Sequence, residues 1–258
     1  MTAELKSSSH GPTMILTLSN PRFLNALEPQ MYAAGVEAFN AAESNPEIRS
    51  IVMVGAGANF CTGGNLHSLQ ARRDQASDLM AQPIEGLHHW IEAIRTCPKP
   101  VIAAIEGAAA GAGFSLALAC DFIIAARNAK FVMAYSNLAL SPDAGASWHL
   151  SRALPRQAAT ELLMLGNSVP AQRLHELGVV NFLSEPEQAL TQALALAEQL
   201  NARAPNVLAS IKDLLNDAAN ASLPEQLDSE RDHFVKNLQH ANAGRAIDAF
   251  LSKTLRGV

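Results

Sequence analysis

The sequence predicts an α/β protein with a mainly parallel sheet, followed by a helical C-terminal region. Short apolar runs alternate with amphipathic helical stretches through the first part of the chain, and strands separated by helices usually pair in parallel. Beyond Asn201 no strand-like run remains, and each segment has the spacing of an amphipathic helix. We therefore expect an α/β core over residues 1–200 and a helical region over residues 201–258.

The core elements follow one another in a regular order. Pro29 marks the start of a first helix, because proline is favoured in the first turn. The predicted strands, in chain order, are MILTL, SIVMVG, the run after KP in KPVIAAIEG, DFIIAA and KFVMA. The predicted helices are PQMYAAGVEAFNAAES, the stretch around IEGLHHWIEAIRTC, and GAGFSLALAC. A further helix is expected to start near Gly145.

The C-terminal region contains three helical segments. They are APNVLASIKDLLNDA, LPEQLDSERDHFVKNLQ and NAGRAIDAFLSKTL. Pro205 stands at the start of the first, which carries an apolar stripe on one side. A helical region of this length buries little apolar surface when it folds on its own. We expect it to pack on the core, on another subunit, or on both.

Composition narrows the possible functions. Of 258 residues, 48% are hydrophobic and 17% charged, as in a soluble globular protein with a sizeable core. A net charge of −5 argues against general nucleic-acid binding, which needs a basic face. The longest uncharged apolar run, between Glu106 and Asp121, is shorter than the roughly 20 residues of a membrane span.

The three cysteines and the N-terminal segment indicate the cellular compartment of the protein and whether a metal site is expected. Three cysteines are too few and too odd in number for a disulfide framework, which favours a reducing compartment. None has CxxC spacing, so no metal site is predicted. The first residues lack the apolar run of a signal peptide. We expect a cytoplasmic protein without a membrane segment.

Two glycine-rich loops each follow a strand. NFCTGGN contains Gly63 and Gly64, and EGAAAGAGFSLALACD contains Gly107, Gly111 and Gly113. The second resembles a dinucleotide-binding loop, but it lies past residue 100, and neither tyrosine has a Lys four residues later. Two such loops on adjacent strands can each direct one backbone N–H at the same oxygen. That arrangement is an oxyanion hole, in which each donor typically contributes about 2.7–4 kcal/mol.

The only charge in the stretch AYSNLALSPDAGASW is Asp143. The residue can serve as a turn residue in Pro-Asp-x-Gly, or as the N-cap of the following helix. It can also be a functional carboxylate, because an ionised group among small and apolar neighbours requires a partner or a task. Trp148 and Leu150, in the next helix, are expected to fill the core.

Several motifs in this order resemble the enoyl-CoA hydratase/isomerase (crotonase) superfamily. They are PRFLNAL, NFCTGGNL, KPVIAAIEGAAAGAGFSLALACDFIIAA and the PDAG segment, and the resemblance extends over roughly residues 14–253. It implies a spiral of ββα units, a helical trimerisation region and an acyl-CoA substrate. The family's two oxyanion N–H groups fall on Gly64 and Ala112, where Ala112 replaces a glycine. A backbone donor tolerates this replacement if φ is negative.

The resemblance also shows where this chain departs from hydratases. Hydratases of the family position water with two glutamates, and those positions are Ser115 and Tyr135 here. Neither side chain is a carboxylate base near pH 7. The stretch around Asp143 is similar to the F-x-L-G-L-x-P-D-x-G-x-x-W pattern of enoyl-CoA Δ-isomerases and of 1,2-epoxyphenylacetyl-CoA isomerases. The expected activity is therefore a double-bond shift in fatty or aromatic acid catabolism, with Asp143 moving the proton.

Three other functions stay open. The family label also covers enoyl-CoA hydratases. In 4-chlorobenzoyl-CoA dehalogenases of the superfamily, an Asp at the same place is a nucleophile. His88 and Tyr135 then match the positions of a water-activating His and of a Trp that donates to the Asp. Finally, the chain could be a catalytically silent CoA-binding protein.

The resemblance implies further binding residues and partners. Arg22, Phe23 and Leu24 would flank the nucleotide end of CoA, while Phe250 and Lys253 match a pattern that reaches the CoA of a neighbouring subunit. Ser115, Tyr135 and His88 would line the substrate pocket. A homotrimer or a dimer of trimers is expected, and no cofactor apart from the coenzyme A carried by the substrate.

Two neighbours of the first glycine-rich loop have simpler interpretations. Cys61 has no evident base partner, so a packed thiol is favoured over a nucleophile. Asn65, where the family often has Asp, is placed to cap the following helix.

Overall fold

The computed structural model describes residues 2–254, with side chains through residue 252. Its strands are β1 (Glu4–His10), β2 (Thr13–Ser19), β3 (Ser50–Gly55), β4 (Val101–Ile105), β5 (Ala108–Ala110), β6 (Phe122–Ala126), β7 (Lys130–Val132), β8 (Ser168–Pro170) and β9 (Phe182–Ser184). Its α-helices are α1 (Pro29–Ser44), α2 (Leu66–Arg72), α3 (Ser77–Thr96), α4 (Ala112–Leu118), α5 (Ala146–Ala153), α6 (Arg156–Leu165), α7 (Ala171–Glu176), α8 (Ala189–Asn201), α9 (Pro205–Ala218), α10 (Leu223–Leu238) and α11 (Ala241–Thr254). Short 3-10 helices cover Pro21–Phe23 and Ser136–Leu138.

The strands form two sheets. A six-stranded sheet has the order β1-β2-β3-β4-β6-β9, and a three-stranded sheet has the order β5-β7-β8. Strands β2, β3, β4, β6 and β9 pair in parallel, and only β1 joins the large sheet antiparallel. The predicted α/β class with a mainly parallel sheet is confirmed.

The large sheet is covered on both faces. On one face β3 and β4 contribute alternate residues to the main core, which also contains the buried faces of α1 and α3. On the other face Val52, Ile102 and Ile124 pack against an alanine stripe of α8 that includes Ala193. Burial on both faces explains why the central strands are continuous apolar runs.

The strands that the sequence did not predict lie at the edges of the two sheets, and most of them are short. Strand β1 is mostly exposed, and its polar sequence ELKSSSH has no apolar alternation. It exists because all seven of its residues are in register with β2, from Glu4 opposite Ser19 to His10 opposite Thr13. Strands β5, β8 and β9 have three residues each, too few for a periodic signal.

The chain divides into two compact units, Met1–Asn201 and Ala202–Val258. The second contains α9, α10 and α11, which match the three predicted helical segments. Three asparagines link these helices: Asn206 donates to Asn237 at 2.7 Å, and Asn242 donates to Asn206 at 2.7 Å.

Within residues 2–254, no helix is both long enough and apolar enough to cross a bilayer.

Helices α1 and α3 approach closely at Gly35. A Cβ built there would overlap the indole ring of Trp90, which is completely buried and has no room to move. We expect Gly35→Ala to lower the free energy of unfolding by about 1–3 kcal/mol through overpacking. Denaturant unfolding of the purified variant measures this change.

The matched control for this change is Gly244→Ala in α11. A Cβ at Gly244 meets nothing within 4 Å, and alanine is the better helix former by about 1 kcal/mol. We therefore expect the opposite sign for this substitution. Equal effects of the two variants would contradict the close contact between α1 and α3.

Candidate active site

The two glycine-rich loops are joined by a parallel bridge between Cys61 and Ala109. The Cys61 N–H donates to the Ala108 carbonyl at 3.0 Å, and the Ala110 N–H donates to the Cys61 carbonyl at 2.9 Å. The segment that leads into Gly63 thus runs beside β5, which leads into α4. This pairing places the first loop against the start of α4.

Glycine is required where the loops approach most closely. Gly63 has φ +94°, and a Cβ there would lie 2.9 Å from the Ala110 carbonyl oxygen. A Cβ on Gly113 would lie 2.5 Å from the Cys61 carbonyl oxygen and 2.7 Å from its Sγ. Any larger residue at either position would push the loops apart.

The backbone N–H groups of Gly64 and Ala112 lie on these adjoining loops. Ala112 is the first residue of α4, so its N–H has no acceptor within the helix. Its φ is not among the positive values of the described residues, as the replacement of glycine requires. Gly64 forms a parallel bridge with Leu27, but the hydrogen bonds of this bridge belong to its neighbours. The Leu27 N–H donates to the Gly63 carbonyl, and the Asn65 N–H donates to the Leu27 carbonyl. The N–H of Gly64 itself therefore points away from Leu27.

Asp143 lies on the segment that precedes α5. Its side chain is 31% exposed, and its Oδ1 is 2.7 Å from Nε2 of His88 in α3. The Ala144 N–H donates to the same oxygen at 2.6 Å. Within the described residues both contacts use Oδ1, which leaves Oδ2 free of protein donors. Asp143 is thus a turn residue and a paired carboxylate, whereas the N-cap of α5 is Gly145.

Three hydrogen bonds also converge on the backbone carbonyl of Asp143. It accepts hydrogen bonds from Ser115 Oγ at 3.1 Å, from the Tyr135 hydroxyl at 3.4 Å and from the Ala146 N–H at 3.1 Å. Burial, with the nearby Asp143 charge adding to it, raises the pKa of Tyr135 to about 12. Tyr135 is therefore a neutral donor near pH 7. Ser115 and Tyr135, which the resemblance predicts to replace the two hydratase glutamates, thus both contact the main chain of Asp143.

The segment predicted to bind CoA lies beside the first glycine-rich loop. Thr62 Oγ1 donates to the carbonyls of Phe23 at 3.1 Å and Leu24 at 3.2 Å. The ring of Phe23 stands 5.3 Å from that of His67. Arg22 is exposed on the same turn. No sequence signal marked Thr62 or His67, because their contacts depend on pairing between distant loops.

The other two predicted CoA residues lie in α11. Phe250 is 72% exposed. Lys253 falls in the last turn of the helix, and its side chain is outside the described residues. Their role in binding CoA therefore stays a prediction.

The residues around the first loop have structural roles. Burial raises the pKa of the Cys61 thiol to about 12, as expected for a packed thiol, and Gly63 N–H donates to its sulfur at 3.4 Å. Asn65 is the N-cap of α2 and accepts from the His67 N–H at 3.0 Å. In the part of the chain that the structure describes, no three His, Cys, Asp or Glu side chains form a metal-binding group.

Helix α5 carries a basic cluster next to the Asp143 segment. Leu150 is buried as expected. Trp148, expected in the core, is instead only partly buried, with the guanidinium groups of Arg95 at 4.7 Å and Arg152 at 4.0 Å from its ring centroid. Burial and then the charges of these two arginines lower the pKa of His149 to about 4.

Two adjoining loops with free N–H donors, and a nearby carboxylate whose main chain contacts α4 through Ser115, are typical of a site that stabilises an enolate or a tetrahedral oxyanion. Residues 11–255 match the family model described as enoyl-CoA hydratase/isomerase. The chain belongs to this crotonase superfamily.

Individual relatives agree on the family but carry different names. The chain is 36% identical to 1,2-epoxyphenylacetyl-CoA isomerase of Escherichia coli K12, over 93% of this chain and 92% of the relative. It is 32% identical to carnitinyl-CoA dehydratase of Salmonella arizonae, over 87% and 85%. A crystal structure of an enoyl-CoA hydratase from Polaromonas sp. JS666 superimposes with a TM-score of 0.96 at 64% identity and covers 97% of each chain.

The lowered pKa of His149 predicts a pH-dependent stability. The unfolded chain binds a proton near the ordinary pKa of about 6.5, whereas the folded chain resists protonation to about pH 4. The stability contributed by neutral His149 is therefore present above pH 6.5 and is lost as the pH falls towards 4. Between pH 7 and pH 5 we expect a loss of about 1–2 kcal/mol from this group.

Urea unfolding at the two pH values measures this loss. In His149→Gln the difference between pH 7 and pH 5 should shrink by that amount, while the same change at exposed His10 serves as the control. An undiminished difference in His149→Gln would show that His149 titrates normally in the folded chain.

Proposed function

We propose that the protein shifts a double bond in an enoyl-CoA through a dienolate, with Asp143 as the proton shuttle. The observation that carries the proposal is the carboxylate of Asp143, which His88 holds through Oδ1 and whose Oδ2 has no protein donor among the described residues. Ser115 and Tyr135 replace the two carboxylates that a water-activating site needs, and their hydroxyls contact the Asp143 carbonyl.

The chemistry requires one base and one oxyanion site. The N–H groups of Gly64 and Ala112 would bind the thioester oxygen and stabilise the negative charge that develops on it. Asp143 removes a proton from C2, and the electrons of the C2–H bond pass into a dienolate whose charge lies on the thioester oxygen. When the thioester carbonyl forms again, the enolate electrons make the C2–C3 double bond. The electrons of the C3–C4 double bond then bind the proton that the same carboxyl delivers to C4. Atoms and charge balance without water or electron transfer. The proposal therefore needs no cofactor apart from the coenzyme A of the substrate.

His88 orients the carboxylate in this mechanism. A donor at 2.7 Å on Oδ1 fixes the rotation of the carboxyl group, as does the Ala144 N–H on the same oxygen. The name of the E. coli relative, an isomerase, supports the proposal. Other relatives are named dehydratase or hydratase, so an experiment has to distinguish isomerisation from the addition of water.

Replacement of Asp143 by Asn tests the proposal. We expect Asp143→Asn to lower kcat for 3-enoyl-CoA isomerisation by about 10²–10⁴-fold, the usual range for loss of a general base. Because the partly exposed Asp143 carboxyl exchanges its proton with solvent between the two transfers, the wild-type product formed in deuterated water should gain deuterium without the added mass of water, as measured by mass spectrometry. The same change at exposed Asp217 is the matched control and should leave kcat unaltered.

Other results would exclude the proposal. Isomerisation that survives in Asp143→Asn would rule out Asp143 as the shuttle. Addition of water across the double bond would identify a hydratase that works without the two glutamates. Binding of acyl-CoA without turnover of any 2-enoyl or 3-enoyl substrate would identify a silent binding protein.

The contact between His88 and Asp143 favours a second candidate, a hydrolytic reaction. Asp143 would attack a carbon that bears a leaving group and form an ester, and His88 would take a proton from the water that hydrolyses it. Their 2.7 Å separation fits a base beside the ester. In this mechanism, turnover in H₂¹⁸O places ¹⁸O in the Asp143 carboxylate, whereas the isomerase leaves Asp143 unlabelled.

We also propose that the second unit mediates assembly into a trimer or a dimer of trimers and that Phe250 and Lys253 serve a neighbouring subunit's CoA. Large apolar side chains are strongly exposed on α9–α11, among them Leu215 at 71%, Phe234 at 67% and Phe250 at 72%. Such exposure is typical of an interaction surface.

Light scattering after size-exclusion chromatography tests the assembly. We expect the mass of three or six chains, and a lower mass for Phe234→Asp, because a charge would then be buried at the interface. Lys236→Asp, on an exposed position of the same helix, is the control. A monomeric wild type would contradict the proposed assembly.

A further inference from the structure

Ser115 is completely buried, although the sequence predicts it among the residues that line the substrate pocket. Its hydroxyl is engaged by the protein itself. Oγ donates to the Asp143 carbonyl at 3.1 Å and lies 3.3 Å from the Gly111 carbonyl. A side chain with no exposed surface does not touch a bound substrate, so its effect on the reaction has to pass through these carbonyls or through the Tyr135 hydroxyl, which lies 3.5 Å from Oγ.

The two carbonyls belong to the two halves of the proposed chemistry. Gly111 immediately precedes Ala112, whose N–H is one oxyanion donor. The other carbonyl is that of Asp143, the proton shuttle. The Ser115 hydroxyl thus lies between the peptide that precedes one proposed oxyanion donor and the main chain of the proposed proton shuttle.

Polar contacts hold the Asp143 segment: besides Ser115, His88 lies 2.7 Å from its carboxylate, and Asn137 donates to the Gly166 carbonyl at 2.9 Å. All side chains of residues 136–142 are exposed, so apolar packing contributes little to its position. Ala144 and Gly145 follow with φ of +52° and +77°. The Tyr135 hydroxyl also reaches the Asp143 carbonyl, but at 3.4 Å it is the longer and weaker contact.

We propose that Ser115 is a positioning residue that sets the distance between the oxyanion donors and the Asp143 carboxylate. This inference rests on the proposed isomerase function and deepens it. Abstraction at C2 and delivery at C4 require the carboxyl group to reach two carbons of a substrate fixed by its thioester oxygen. A displaced Asp143 reaches one of the two carbons less well than the other.

The test compares two rates in the full-length enzyme in deuterated water. One is the deuterium exchange at C2 of 3-enoyl-CoA, and the other is the formation of 2-enoyl-CoA. In Ser115→Ala we expect kcat to fall about tenfold with KM within twofold of wild type. The ratio of exchange to isomerisation should change at least threefold, because the two proton transfers depend differently on the position of Asp143.

Two variants serve as controls. Ser184→Ala removes a hydroxyl that is equally buried but has no hydrogen-bond partner among the described residues, so it should change neither rate. Ser115→Thr keeps the hydroxyl and should restore the wild-type ratio. If the added methyl group prevents folding of Ser115→Thr, the ratio measured in Ser115→Ala decides alone.

The outcomes separate this inference from the proposed function. A parallel fall of both rates in Ser115→Ala, with an unchanged ratio, would overturn the positioning role and leave a structural one. If Asp143→Asn abolishes both rates while Ser115→Ala leaves the ratio unchanged, only the positioning role fails. If Asp143→Asn preserves both rates, the isomerase mechanism itself fails.

Discussion

The pairing of Cys61 with Ala109 is the contact on which the site depends. It sets two loops from different strands side by side, so that the Gly64 and Ala112 N–H groups come from adjoining backbone segments. Main-chain donors of this kind need no side-chain rearrangement when charge develops. The close approach excludes a Cβ at Gly63 and Gly113, which explains why small residues fill both loops.

In the proposed mechanism, the carboxylate of Asp143 exchanges protons with the substrate. Burial holds Cys61 and Tyr135 in their neutral forms near pH 7. Asp143, by contrast, keeps partial exposure and contacts His88. The difference between a hydratase and the proposed isomerase then lies in a few side chains on one scaffold. In the proposed isomerase, Ser115 and Tyr135 stand in place of the two hydratase glutamates and donate hydrogen bonds to the Asp143 backbone. The fold alone does not determine the reaction.

The site also shows why polar contacts matter more than packing at this edge of the core. Central strands such as β3 and β4 are held by apolar burial on both faces. The segment that carries Asp143 has exposed side chains and left-handed residues at its end. Hydrogen bonds from Ser115, Tyr135 and His88 supply the order that packing does not. Each of these donors lies on a different part of the chain, so the segment is held from several sides.

Local periodicity and composition in the sequence determined the class of fold and the strong elements. Helix α1 and strand β3 have the predicted bounds, because a long apolar period and a buried apolar run are local signals. The resemblance to the family also named Asp143, His88, Gly64 and Ala112 as candidates. Only the tertiary structure determined which strands pair and which side chains form hydrogen bonds with distant residues. Short edge strands acquire their form from a partner, and the hydroxyl of Ser115 finds a carbonyl 28 positions away. Such contacts depend on how distant elements pack, and no local pattern encodes them.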